Sequence, residues 1–127
     1  MTRRKVIHTP NAPEAIGPYS QAIDTGDVIY VSGQIPIDPK TGAFAGEDIS
    51  TQTRQVMENV KAIVEAAGSS MDRVIKCSIF LADMGDFQTV NEIYGSYFGD
   101  EPPAREAIAV KTLPKNARVE VSCITGK

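Results

Sequence analysis

Asp48-Ile49-Ser50-Thr51-Gln52-Thr53-Arg54-Gln55-Val56-Met57-Glu58-Asn59-Val60-Lys61-Ala62-Ile63-Val64-Glu65-Ala66-Ala67-Gly68, with Arg73-Val74-Ile75-Lys76-Cys77-Ser78-Ile79-Phe80-Leu81-Ala82 close behind it, decides the class of fold. The first run has helical period. Ile49, Val56, Val60, Ile63 and Ala67, flanked by Met57 and Val64, make one apolar stripe. Gln52, Arg54, Gln55, Glu58 and Lys61 form the opposite, solvated face. Asp48 is suited to N-cap this helix and Gly68 to end it. At ~1.5 Å per residue it is ~28 Å long, enough to cover a small sheet. The second run alternates, placing Ile75, Cys77, Ile79 and Leu81 on one face of a strand.

Working outward, Arg4 to Thr9 reads as a short strand stopped by Pro10 and Pro13. Residues 19–24 and 28–32 flank Thr25-Gly26-Asp27 as a hairpin, and Asp38-Pro39-Lys40-Thr41-Gly42 has the chemistry of a tight turn. Downstream, Asp86 can cap a second helix with Phe87, Val90, Tyr94 and Phe98 on one stripe. Asn91 falls inside that stripe, so its amide needs a partner, either a neighbouring backbone or a ligand. Two strands, Arg105 to Thr112 and Arg118 to Thr125, close the chain. The order of elements predicts an α+β fold: a mixed sheet with two helices on one face, in a single domain spanning 1–127. Apolar residues on the other face then need a cover, which a second copy supplies.

Length and charge bound the function. At 127 residues, 42% hydrophobic and 23% charged, the chain is an ordinary globular domain. The net charge of −3, with no basic run beyond Arg3-Arg4-Lys5, disfavours nucleic acid as a partner. Cys77 and Cys123 lie in apolar strand patterns without metal-ligand spacing, and His8 is the one histidine, so no metal site is expected. His8 reads as an end-of-strand residue. With no apolar leader or run of ~18 apolar residues, the chain is expected to be cytoplasmic and reduced, with no membrane partner.

Arg105 carries a fixed charge at the start of a strand, and its planar fork of donors matches a carboxylate. Glu120, in Arg118-Val119-Glu120-Val121-Ser122, is a carboxylate in mid-strand that can move protons. The two could meet across neighbouring strands if register and face agree. A surface arginine and an outward-facing strand glutamate account for the same residues equally well.

Six segments in order, two of them carrying Arg105 and Glu120, change this balance. They are Ala15-Ile16-Gly17-Pro18-Tyr19-Ser20-Gln21-Ala22, Val31-Ser32-Gly33-Gln34-Ile35-Pro36, Thr89-Val90-Asn91-Glu92-Ile93-Tyr94, Pro103-Ala104-Arg105, Leu113-Pro114-Lys115 and Val119-Glu120-Val121. In this order and spacing, from about Val6 to Ile124, they resemble the RidA/YjgF family of reactive-intermediate imine/enamine deaminases. The resemblance implies a chorismate-mutase-like fold, a homotrimer with sites at subunit boundaries, and no cofactor. It implies hydrolysis of small 2-imino acids (2-iminobutanoate and 2-iminopropanoate) to 2-oxo acids and ammonia. Arg105 would anchor the carboxylate, Glu120 would handle protons, and Tyr19 would donate to or flank the substrate. Ser32, Gly33 and Asn91 would complete the pocket. Tyr19 alone also suits a hairpin core, and Ser32-Gly33 a plain turn. Relatives commonly carry Ser-Cys after Pro-Ala-Arg. Here Glu106-Ala107 stands instead, which leaves position 107 its backbone carbonyl and places Glu106 on the face opposite Arg105. The alternatives within the family are a non-catalytic metabolite-binding trimer and an RNA-acting protein.

Overall fold

The computed structural model describes residues 3–127; Met1 and Thr2 of the expected 1–127 domain lie outside the described residues. Six strands form one sheet: β1 (Lys5–Ile7), β2 (Ala22–Asp24), β3 (Val28–Gln34), β4 (Val74–Leu81), β5 (Ala104–Ala109) and β6 (Val119–Gly126). Their order is β1-β2-β3-β6-β4-β5. Every neighbouring pair is antiparallel except β4 and β5, which run parallel. A parallel neighbour needs a crossover, and α2 (Phe87–Gly95) supplies it. The longer helix, α1 (Ile49–Ala66), connects β3 to β4, and the last strand of the chain inserts between them. The sheet is therefore mixed, with two helices, as the order of elements predicts.

Strand β6 shows why the sheet has two unlike faces. Val119, Val121, Cys123 and Thr125 are buried, whereas Glu120, Ser122 and Ile124 alternate to the other side. The inward residues join Ile29 and Val31 of β3, Cys77, Ile79 and Leu81 of β4, and Val56, Met57, Val60, Ile63 and Val64 of α1 in one core. Each such large side chain stabilises the fold by ~1.5–3 kcal/mol on burial. The opposite face has no helix over it, and Val6, Tyr30 and Ile108 are about half exposed there.

The caps of α1 follow from its sequence. The Asp48 carboxylate accepts from the Thr51 amide at 3.0 Å and from its hydroxyl at 2.9 Å. At the other end Gly68 takes φ +84°, and the amides of Gly68 and Ser69 reach the carbonyls of Glu65 and Val64. This is a Schellman closure, which needs a residue at ease with positive φ.

Several expectations need correction. Gln52 is not solvated: it is 3% exposed, its carbonyl accepts from the Arg118 amide at 2.9 Å, and its NH₂ donates to Gly46 O. Ile75 is 50% exposed, because a register shift between Val74 and Lys76 inserts an extra residue and turns Ile75 out of the core face. Asp86 makes no side-chain cap to α2; its carboxylate instead accepts both contacts from Arg118 Nη2, at 3.0 and 3.1 Å. Phe98 lies beyond the end of α2 but still packs its ring on Tyr94, centroids 4.8 Å apart. Strand β2 begins at Ala22 rather than at Tyr19, which is left in the preceding loop.

Cys77 and Cys123 face each other across β4 and β6, both buried. Burial raises both thiols, pushing Cys123 up to about 12. Thiols held protonated are poor nucleophiles. Iodoacetamide at neutral pH should therefore label the folded protein far more slowly than the denatured chain. Mass spectrometry showing prompt labelling of either cysteine in the native state would contradict this packing.

Candidate active site

The family-like residues assemble in two places. The first is an open pocket of about 420 Å³ whose lining includes Ile16, Tyr19, Gly33, Ile35, Pro114 and Glu120. It is largely apolar, and Glu120 projects into it from the helix-free face of β6. Burial raises the Glu120 pKa above the ordinary carboxylate value, because the charged form loses hydration and no cation is set against it. A carboxylate in such a setting is a better proton acceptor than an exposed one.

The pocket walls are held by hydrogen bonds from buried amides that the sequence gave no reason to single out. Gln21 accepts from the Thr9 amide at 2.7 Å and donates to Pro13 O at 2.8 Å, fixing the loop that brings Pro13 and Glu14 to the rim. Asn59 of α1 donates to Ile35 O and Ile37 O at 3.1 and 3.0 Å, fixing the opposite wall. Tyr19 is 52% exposed, so it is a wall of the pocket and not a hairpin core residue. Gly17, at φ +122°, turns the chain just ahead of it. Lys115, also on the rim, sits at φ 56°, a conformation a lysine seldom adopts.

Ser32 and Gly33 fall where the β3–β6 register shifts, between Val31 and Gln34. The Ser32 hydroxyl donates to Ser20 O at 2.6 Å, so in this structure it ties down the Tyr19 loop. Gly33 leaves room for the Glu120 carboxylate: a Cβ there would lie 2.0 Å from Glu120 Oε2, and the side chain would have to shift.

The second place is on the helix-covered side of β5. Arg105 pairs in register with Cys77 and so shares its face, together with Ala107 opposite Ile79. The Arg105 guanidinium lies over the rings of Phe87 and Tyr94 and donates from Nη1 to Asn91 Oδ1 at 2.5 Å. No ion pair to Arg105 occurs among the described residues. Asn91 is therefore tied to the arginine and not to a backbone group. Glu106 points to the other face, hydrogen-bonded by the Ser78 hydroxyl and 2.9 Å from Lys76 Nζ, which together hold its carboxyl below the usual range.

Arg105 and Glu120 do not meet within the chain. Strand β4 lies between their strands, and the two side chains leave opposite faces of the sheet. One half-site offers a carboxylate receptor and the other a proton acceptor in an apolar recess. Among the described residues, no group of three or more His, Cys, Asp or Glu side chains is placed to hold a metal ion. No described helix is long and apolar enough to cross a membrane.

Residues 9–126 match the family model described as Endoribonuclease L-PSP. A RutC family protein of Pyrococcus horikoshii is 54% identical over 98% of each chain. The 2-iminobutanoate/2-iminopropanoate deaminase of Salmonella typhimurium is 50% identical, covering 94% of this chain and 95% of its own. The chain belongs to the RidA/YjgF family. The crystal structure of Escherichia coli TdcF with bound serine superposes with a TM-score of 0.92 at 42% identity, over 97% of this chain and 98% of that one. The fold is thus the chorismate-mutase-like fold of the RidA/YjgF proteins.

The Gly33–Glu120 contact yields a prediction. The atom that would clash is the tip of a flexible side chain, so Gly33→Ala should fold, with a melting temperature within about 4–8 °C of the parent. The displaced Glu120 carboxylate should move toward solvent, and its pKa should fall back toward the ordinary value. A ¹³C carboxyl titration by NMR checks this; an unchanged pKa would show that the glycine does not govern the carboxylate.

Proposed function

We propose that the protein hydrolyses reactive 2-imino acids to 2-oxo acids and ammonia, at a site completed between copies of the chain. The observation that carries the reading is the division of labour between the two half-sites. Arg105 is held on aromatic rings with no acid paired to it, and Glu120 is desolvated in an apolar pocket. A 2-imino acid asks for both: an anchor for its carboxylate and a base beside its C=N carbon. The deaminase relative at 50% identity and the serine bound to TdcF support a small amino-acid-like ligand.

In this reading Arg105 binds the substrate carboxylate in a bidentate pair, which fixes the plane of the C=N group. Glu120 accepts a proton from water as the water oxygen bonds to C2, and the C=N electron pair moves to nitrogen, which takes that proton from Glu120. The carbinolamine that results collapses when the hydroxyl oxygen re-forms a C=O bond. Glu120 accepts the hydroxyl proton and passes it to the amine nitrogen, so ammonia departs and the carboxylate is restored. Tyr19 and the apolar wall limit bulk water. The Ser32 hydroxyl, already bound to Ser20 O, keeps that wall in place. Ala107 leaves a small side chain and a backbone carbonyl beside the arginine, so position 107 supplies no thiol.

Opposite faces and an intervening strand keep Arg105 from Glu120 in one copy, so a second copy has to bring its half-site. The surface provides for it. The helix-free face is apolar at Val6, Tyr30 and Ile108, and β5 is an edge strand with exposed residues along most of its length. Unpaired edges and apolar faces of this kind are places where protein chains associate. We take the assembly to be a homotrimer, as in the family resemblance.

The decisive assay couples the protein to threonine dehydratase as the source of imine and follows 2-oxobutanoate. Catalytic amounts should speed its release. Arg105→Ala should lower kcat/KM by ~10²-fold or more through loss of the anchor. Glu120→Gln should lower kcat by ~10²–10⁴-fold with little change in 2-oxobutanoate binding. Binding of 2-oxobutanoate without turnover would instead make this a metabolite-binding member of the family.

Two further outcomes follow from the same geometry. Because burial raises the Glu120 pKa and the base must be ionised, kcat/KM should fall on the acid side through an apparent pKa above ~4.3. That limb should vanish in Glu120→Gln. Unfolding and refolding Arg105→Ala and Glu120→Gln together should restore roughly a quarter of wild-type activity in randomly mixed trimers, since each site draws one residue from each of two neighbours. Absence of any recovery, with mixed trimers shown by native mass spectrometry, would place both residues on one copy.

A further inference from the structure

We propose that Phe87, Asn91 and Tyr94 are positioning residues for Arg105, forming a cradle on one side of α2 that immobilises the guanidinium without neutralising it. That the cradled charge serves a 2-imino acid rests on the proposed deaminase reading; the cradle itself does not.

The spacing is that of one helical face. Residues 87, 91 and 94 stand at i, i+4 and i+7, so their side chains leave α2 in nearly the same direction. The parallel β4–β5 pair sets that face over β5, because its crossover is α2 itself. Arg105 Cζ lies 5.4 Å from the Phe87 ring centroid and 5.3 Å from that of Tyr94, both within reach of cation–π attraction. Asn91 Oδ1 takes one proton of Nη1 at 2.5 Å. Tyr94 is itself held firm, buried among core residues with the ring of Phe98 4.8 Å away and tilted 51° to it.

Each contact limits motion, and none supplies a negative charge. Ring faces attract the cation weakly, and an amide oxygen accepts a hydrogen bond while leaving the formal charge in place. An aspartate at position 91 would keep the hydrogen bond but would form an ion pair, competing with any carboxylate that approaches Arg105. The neutrality of Asn91 is therefore a functional property and its hydrogen bond a structural one, and the two can be separated. On an exposed edge strand, an arginine without such a cradle would sample many rotamers and lose them on binding.

The test uses the full chain, ¹⁵N-labelled, with 2-oxobutanoate as the probe. In the wild type, the Arg105 side-chain ¹⁵N signals should show slow rotation about Nε–Cζ. Phe87→Leu should speed that rotation and raise both KM for the imine and Kd for 2-oxobutanoate about three- to tenfold, with kcat less affected. Phe87→Tyr should restore all three. Asn91→Asp should keep the guanidinium immobile yet weaken 2-oxobutanoate binding about tenfold or more, an effect that thermal stability alone does not produce. Unchanged Arg105 rotation in Phe87→Leu, or wild-type affinity in Asn91→Asp, would overturn the proposal. A wild type that turns over no imine, but shows the slow rotation and its loss in Phe87→Leu, would overturn the reaction and leave the cradle standing.

Discussion

Strand β6 enters the sheet last and sits between β3 and β4, and its strict alternation constrains everything else in the molecule. Because Val119, Val121, Cys123 and Thr125 must face the helices, Glu120 must face away from them. Because β5 pairs in parallel with β4, Arg105 shares the face of Cys77 and must lie under α2. The sheet has a period of two, and a slip of one residue would expose the whole inward set of β6. The core therefore fixes the separation of Arg105 and Glu120 as firmly as it fixes the fold. A site that needs both residues is one that a single copy does not close.

That separation has an electrostatic use. A guanidinium beside Glu120 would hold the carboxyl ionised and lower its pKa, making it a weaker base. With Ile16, Ile35 and Pro114 around it, burial raises the Glu120 pKa within the chain. Arg105 likewise avoids internal neutralisation. Lys76 and Arg118 have acids of their own in Glu106 and Asp86, whereas Arg105 has two rings and an amide. Within one chain, then, neither charge neutralises the other.

The fold was legible because its signals are periodic. Asp48 and Gly68 mark the ends of α1, and the alternation of β6 marks its buried face, all by local chemistry. The candidate site residues stood out as motif segments, yet their arrangement did not. Sequence showed Arg105 and Glu120 on alternating strands but carried no statement of which strand lies between them. Ile75 was misplaced because a single inserted residue at the β4–β6 register shift reverses the parity of everything before it. Gln52 was misplaced because buried amides look like surface ones until the backbone groups they serve, here the Arg118 amide and Gly46 O, are brought beside them. Gln21 and Asn59, which hold the pocket walls, were passed over for the same reason.

Position 107 shows how far the geometry decides what a substitution means. Ala107 shares the covered face with Arg105 and lies opposite Ile79, partly buried against the core. A thiol there would be adjacent to Arg105, whereas Glu120 lies on the other side of the sheet. Charge at the anchor depends on Arg105 and its cradle, and basicity depends on the desolvation of Glu120; neither depends on the side chain at 107. In the proposed reaction the residue can therefore change the room beside Arg105 without touching either group. Glu106, the other departure from the relatives' Ser-Cys, is turned to the opposite face and bound to Ser78 and Lys76, where it braces β5 against β4. Alternation thus allots the two substitutions different roles: one shapes the space at the anchor, and the other supports the strand that carries it.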